Sequence, residues 1–83
     1  RLLIPRVTRV LGLRPIDEGV LGVELELSHG RHVIRRTNED FDDLERTLRE
    51  ALKDVRPVVV TEDDGHDIID VRFFDDGPNG PDA

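Results

Sequence analysis

One stretch of the chain carries a clear helical period. Between Thr37 and Val55, apolar residues recur every three or four positions, so they share one face of a helix with 3.6 residues per turn. These positions are Phe41, Leu44, Leu48, Ala51, Leu52 and Val55. Thr37 is a suitable N-cap, and Pro57 ends the segment because the residue before a proline avoids helical dihedrals. The pattern predicts one amphipathic helix.

Charges on the exposed side of this helix agree with its direction. Acids fill the first turns and bases come later, which complements the helix dipole. Asp42 with Arg46 and Glu45 with Arg49 have the spacing of helical ion pairs, each contributing about 0.3 kcal/mol.

The segment before the helix alternates with a period of two. From Leu21 to Leu27, odd positions are apolar and even positions are mostly glutamate, which predicts a half-buried strand. We take His29-Gly30 as a two-residue hairpin loop, which places Leu25 opposite Ile34. The returning strand, residues 32–36, then leads directly into the helix.

A second hairpin is predicted after the helix. Its strands begin at Val58 and Ile68, and Asp64-Gly65 is a strong turn signal. In this register Val60 opposes Ile69, and Ile68 lies on the face away from the helix.

The first residues are ambiguous. Residues 2–13 suit either a helix or a strand, and Pro5 and the β-branched residues favour an edge strand. Arg14–Gly19 is predicted to be a turn in which Gly19 takes a positive φ.

Together these elements predict an α+β fold. The order β-β-β-α-β-β gives a two-layer sandwich, with an antiparallel or mixed sheet and the amphipathic helix on one face. Residues 1–76 are expected to form a single domain. Residues 77–83, rich in Asp, Gly and Pro, are expected to be a flexible acidic C-terminal tail.

The charge balance is acidic. The net charge is −7, and Lys53 is the single lysine beside eleven arginines. This composition is typical of halophilic proteins and bears on solubility rather than on fold. Residues 1–36 carry a net +3 and residues 37–83 a net −10. The division reflects either chance clustering or a basic face that meets an acidic one.

The acidic loop Glu62–Asp67 is a candidate cation site, although its spacing does not fit an EF-hand and a solvated hairpin tip is the favoured interpretation.

Residues 62–68 resemble the acidic loop of PB1 domains, β-grasp modules that pair head to tail through acidic and basic residues. That family's second helix and last strand have no counterpart in this sequence. The entry to the helix, with Val33-Ile34-Arg35-Arg36 before Phe41, resembles phox-homology domains.

No catalytic, cofactor or metal set is predicted. The chain has no cysteine, so thiolate ligands are excluded. His29, His32 and His66 fall at predicted turns and are expected to be solvated. Ser28 has no orienting acid beside His29, as a nucleophile–base pair would need.

The favoured function is protein–protein association by a small soluble, non-enzymatic domain in the cytoplasm, without a membrane span. A sheet with one helix leaves a face bare, and a homodimer or another protein partner would cover it. The apolar candidates for this interface are Val20, Val33, Ile68 and Phe74.

The alternative function is nucleic-acid binding, which the net charge disfavours. Arginine suits bidentate phosphate contacts, and several arginines could form a strip on the sheet. The members of this strip are Arg6, Arg9, Arg31, Arg35 and Arg36, of which Arg31, Arg35 and Arg36 are also interface candidates.

Overall fold

The computed structural model describes residues 3–74 and confirms the α+β class. It contains two three-stranded antiparallel sheets, ordered β2-β3-β4 and β1-β5-β6, and one helix. The elements are β1 Arg6–Thr8, β2 Val10–Asp17, β3 Val20–Leu25, β4 Ser28–Arg35, α1 Phe41–Asp54, β5 Val58–Glu62 and β6 Ile68–Phe73. No helix within residues 3–74 is long and apolar enough to cross a membrane. The predicted tail, residues 77–83, lies outside the described residues.

Two sheets replace the single predicted sheet. Only Arg9 separates β1 from β2, so one extended segment supplies a strand to each sheet. On the other side, Val33 of β4 pairs in parallel with Asp67, just before β6. The core therefore lies between the two sheets and the helix, and it draws side chains from both sheets and from α1.

The β3–β4 hairpin turns earlier than predicted. Its turn is Glu26-Leu27 rather than His29-Gly30, and Ile34 opposes Leu21 rather than Leu25. Because the register moves by an even number of residues, Leu21, Leu25 and Ile34 still face the core.

The β5–β6 hairpin also changes register. Val60 opposes Val71 rather than Ile69, and an irregularity between Thr61 and Glu62 turns the strand there. Ile68 is only 1% exposed, which corrects its predicted place on the face away from the helix.

The helix begins at Phe41, four residues after the predicted cap. Thr37 lies in a turn, where Asn38 Oδ1 accepts the Asp40 N–H at 2.8 Å. Asp40 is the N-cap position and makes no side-chain cap bond. Most of the predicted apolar face packs on the core, with Phe41, Leu44, Leu48 and Ala51 buried, whereas Leu52 is partly buried and Val55 is 67% exposed.

The end of the helix and its ion pairs agree partly with the sequence. The predicted Glu45–Arg49 pair is present at 2.7 Å, whereas Arg46 bonds Asp43 instead of Asp42. After Asp54 the chain leaves the helix through Val55, in the left-handed region at φ 54°.

Candidate functional site

Two histidines and a glutamate meet where the β5–β6 turn packs on β4. His32 comes from β4, Glu62 ends β5, and His66 lies in the turn. His32 Nδ1 is hydrogen-bonded to Glu62 Oε2, and His66 Nδ1 lies 3.5 Å from Glu62 Oε1. One ligand atom from each residue falls within 4.8 Å of the other two. We call this set the His–Glu–His cluster.

Hydrogen bonds to the side chain and the backbone of Asp63 fix the turn that carries His66. Asp63 Oδ1 accepts the N–H groups of Gly65 and Asp67, at 2.8 and 3.0 Å. The Asp63 carbonyl accepts the His66 N–H at 3.1 Å, and His66 has a left-handed φ of 68°. The turn therefore gives His66 a defined position beside Glu62.

The same turn is docked on β4. The Val33 N–H donates to the His66 carbonyl at 3.3 Å, and Arg35 Nε donates to Asp67 Oδ2 at 2.7 Å. The expectation of a solvated hairpin tip is therefore wrong for the parts of the loop that face β4.

Burial differs sharply within the cluster. The side chains of His32, Glu62 and His66 are 3%, 18% and 64% exposed. His32 Nε2 is buried and has no hydrogen-bond partner among residues 3–74. Leaving a buried polar atom unpaired costs about 1–3 kcal/mol.

Sequence reasoning missed His32, which was expected to be solvated at a turn. It lies inside β4, opposite Val23. The alternation of β4 held the signal, because His32 and Ile34 share a parity and both face the core. His29 and His66 are exposed, as predicted.

A cleft of about 190 Å³ opens beside the cluster. Glu62 and His66 both line it, and His32 lies behind them. The other lining residues are Ile4, Arg6, Leu25, Leu27, Val60, Asp63 and Asp64.

The four apolar interface candidates do not form one exposed face. Val33 is 3% exposed and Ile68 is buried, because the second sheet and the docked turn cover them. Val20 is half-buried and Phe74 is exposed. This corrects the prediction of a bare sheet face, which assumed a single sheet.

A second cleft, of about 230 Å³, gathers four of the seven interface candidates. These are Val20, Arg31, Val33 and Arg35.

The arginines are paired locally rather than aligned in a strip. Arg35 bonds Asp67, and Arg36 lies 3.4 Å from Asp42 and stacks over the Phe41 ring at 4.4 Å. The proposed phosphate contacts would have to compete with these partners.

The remaining arginines lie apart. Arg9 is 3.6 Å from Glu26, Arg6 lines the cleft beside the cluster, and Arg31 lines the second cleft. The continuous strip of the nucleic-acid hypothesis is therefore not present among residues 3–74.

Ser28 is not paired with a base in the described part of the chain. Its Oγ accepts the Gly30 N–H at 3.1 Å, which is a local turn bond. The His–Glu–His cluster is therefore the candidate site that we take further, because its three side chains could hold a metal ion together.

A solved structure shares this fold. The chain is similar to the crystal structure of pro-protein-glutaminase, with a TM-score of 0.75 and 23% sequence identity. The match covers 93% of this chain and 27% of that one, so the chain spans about a quarter of the similar protein. Identity at this level shows the fold alone. No family model and no curated protein matches the sequence.

The similarity overturns the functional prediction. A non-enzymatic domain was expected because no catalytic motif stands out in the sequence. The fold nevertheless occurs as part of an enzyme precursor, so that reasoning and its nucleic-acid alternative are wrong.

Proposed function

We propose that this chain is a domain of an enzyme and serves as the precursor segment that covers a catalytic unit. The fold match carries the proposal, because nearly the whole chain corresponds to about a quarter of a protein named as a pro-form. In this proposal the protein partner is the catalytic unit rather than a second copy. The cytoplasmic location stays a prediction.

The surface suited to such a partner is an apolar row on the segment that links the two sheets. Leu3, Val7 and Leu11 are exposed, while Thr8 and Val10 of the same segment are buried. We call these three exposed side chains the apolar row. A protein-facing role accounts for apolar side chains repeated along one extended segment.

The strand that carries part of this row is also the outer strand of its sheet among residues 3–74. β1 pairs with β5 alone, because it is the outer strand of the order β1-β5-β6. The edge of a strand offers unpaired backbone groups, which a second chain can extend. Apolar contacts and backbone bonds can thus act together when a catalytic unit covers this side.

The test uses mature protein-glutaminase as the catalytic unit and measures ammonia release from a glutamine-containing protein. We expect the chain, added in trans, to reduce the rate in a saturable way. The double substitution Val7→Asp and Leu11→Asp should abolish the reduction, because it places charge within the apolar row.

Val55→Asp is the matched control, since Val55 is equally apolar and exposed but lies at the end of the helix. This variant should still reduce the rate. An unchanged rate at saturating chain, or equal reduction by both variants, would contradict the proposal. Ammonia release by the chain itself would instead place catalytic groups within it.

A further inference from the structure

We propose that His32, Glu62 and His66 bind a divalent transition-metal ion of the zinc type. Two imidazoles and a carboxylate form a ligand set that zinc accepts, with a further position left for water. Imidazole nitrogen favours zinc-like ions over calcium or magnesium, which take oxygen ligands. The site is distinct from the surface on which the proposed function rests.

The spacing of the cluster is close to that of a coordination shell. Bonds of about 2.0–2.1 Å in a tetrahedral site place ligand atoms about 3.3 Å apart. His66 Nδ1 lies 3.5 Å from Glu62 Oε1, and the three ligand atoms fall within 4.8 Å of one another. The widest separation exceeds the ideal one by at most about 1.5 Å, and the hydrogen-bonded His32–Glu62 pair would open slightly to admit the ion, so rotations of the side chains can form the shell.

The buried imidazole is the second observation. His32 is 3% exposed, its Nδ1 points at Glu62, and its Nε2 has no partner among residues 3–74. A half-satisfied buried ring is costly in a purely structural role. The ring atom that faces Glu62 is Nδ1, so Nδ1 is the atom that would bind the metal ion, and burial of the ring holds it in that orientation.

Glu62 is placed to join the two rings. Its two carboxylate oxygens face the two histidines separately, Oε2 toward His32 and Oε1 toward His66. Its negative charge would offset part of the charge of a divalent ion, which a pair of neutral imidazoles cannot do.

An entry path is present. Glu62 and His66 line the 190 Å³ cleft, and His66 is 64% exposed. Asp63 and Asp64 also line the cleft, so its carboxylates outnumber the one arginine there, Arg6, and the local charge favours a cation. An ion can therefore reach the cluster without unfolding of the β5–β6 turn.

The test treats the full chain with a chelator, removes the chelator and titrates Zn²⁺ by calorimetry. We expect one ion per chain. His66→Ala should weaken zinc affinity at least about tenfold. This residue is chosen because its exposed side chain can be removed without opening the core. His29→Ala is the matched control, since His29 is exposed on β4 and lies outside the cluster. The zinc affinity of this variant should equal that of the unaltered chain.

Two further measurements keep the proposal falsifiable. Co²⁺ should give the visible absorption of a tetrahedral complex with the unaltered chain and with His29→Ala, but not with His66→Ala. Zn²⁺ should raise the Tm of the same two proteins by at least about 4 °C, because it binds the folded state alone. Absence of saturable zinc binding, or equal losses in both variants, would overturn the proposal.

Discussion

At the scale of single residues, the end of the helix holds the clearest conflict between sequence and conformation. Val55 takes a left-handed φ of 54°, and the next N–H, that of Arg56, bonds the Ala51 carbonyl at 3.0 Å. Glycine usually occupies this position, because a β-branched side chain crowds the backbone there. Val55 is 67% exposed, so little burial offsets the strain.

We therefore predict that Val55→Gly raises the free energy of unfolding by about 1 kcal/mol. Urea denaturation monitored by circular dichroism measures the change. Lys53→Gly, in the last helical turn, is the control and should lower the free energy by about the same amount. A loss of stability in both variants would show that Val55 is not strained.

His32 and Glu62 show why a residue can be missed even when its pattern is visible. The alternation along β4 indicates that His32 faces inward, but it does not indicate which residue His32 contacts. Glu62 lies thirty residues away and reaches His32 only because the β5–β6 turn packs on β4. Contacts of this range depend on how the sheets meet, which no local spacing encodes.

At the scale of elements, the helix does not begin where the capping preference of its residues indicates. Thr37 has the side chain of a good N-cap, yet the helix begins at Phe41 and the capping bond in the preceding turn comes from Asn38. The Phe41 N–H donates to the Asn38 carbonyl at 2.9 Å, so Asn38 holds the chain with both its side chain and its backbone.

Substituting Asn38 and Thr37 in turn shows which of the two residues stabilises the start of the helix. We predict that Asn38→Ala lowers the free energy of unfolding by about 1 kcal/mol, because the Asp40 N–H loses its acceptor. Thr37→Ala should change it by less than about 0.5 kcal/mol, since Thr37 is exposed and outside the helix. Thermal and urea unfolding measure both, and the reverse order would restore Thr37 as the cap.

The two hairpins show the limit of alternation as evidence. In each, the strands overlap those that the pattern predicts, but the register differs from the one that the turn residues indicated, and β4 begins at Ser28, before the predicted turn. His29-Gly30 falls in an irregular part of β4, and the chain turns at Glu26-Leu27 instead. A period of two indicates which face a side chain takes where the ladder is regular, while the register depends on packing across both sheets.

At the scale of the whole molecule, the dominant physical property is the charge. A net charge of −7 on 83 residues makes the folded state repel itself, and salt screens that repulsion. The resolved ion pairs on the helix are exposed and contribute little each.

We predict that raising KCl from about 0.1 to 2 M increases the Tm at neutral pH, because the Debye length falls well below the charge spacing. Differential scanning calorimetry measures the change. The control is the same titration near the sequence pI of 4.8, where the net charge vanishes and the increase should be much smaller. Equal increases at both pH values would attribute the effect to salting-out instead.

The function was predicted wrongly for a reason that also belongs to this scale. The absence of a catalytic motif was taken as evidence about function, although it does not indicate which proteins share the fold. The similarity to about a quarter of an enzyme precursor could come only from comparing folds, since 23% identity leaves little in the sequence to recognise.

The sequence by itself determined the α+β class, the amphipathic face of α1 and the inward face of β3, because these depend on local periodicity. The tertiary structure alone decided the division into two sheets, both registers and the meeting of His32 with Glu62 and His66. These features depend on where the extended segment bends at Arg9 and on how one hairpin docks against the other. Such long-range packing is a property of the whole core rather than of any window of the chain.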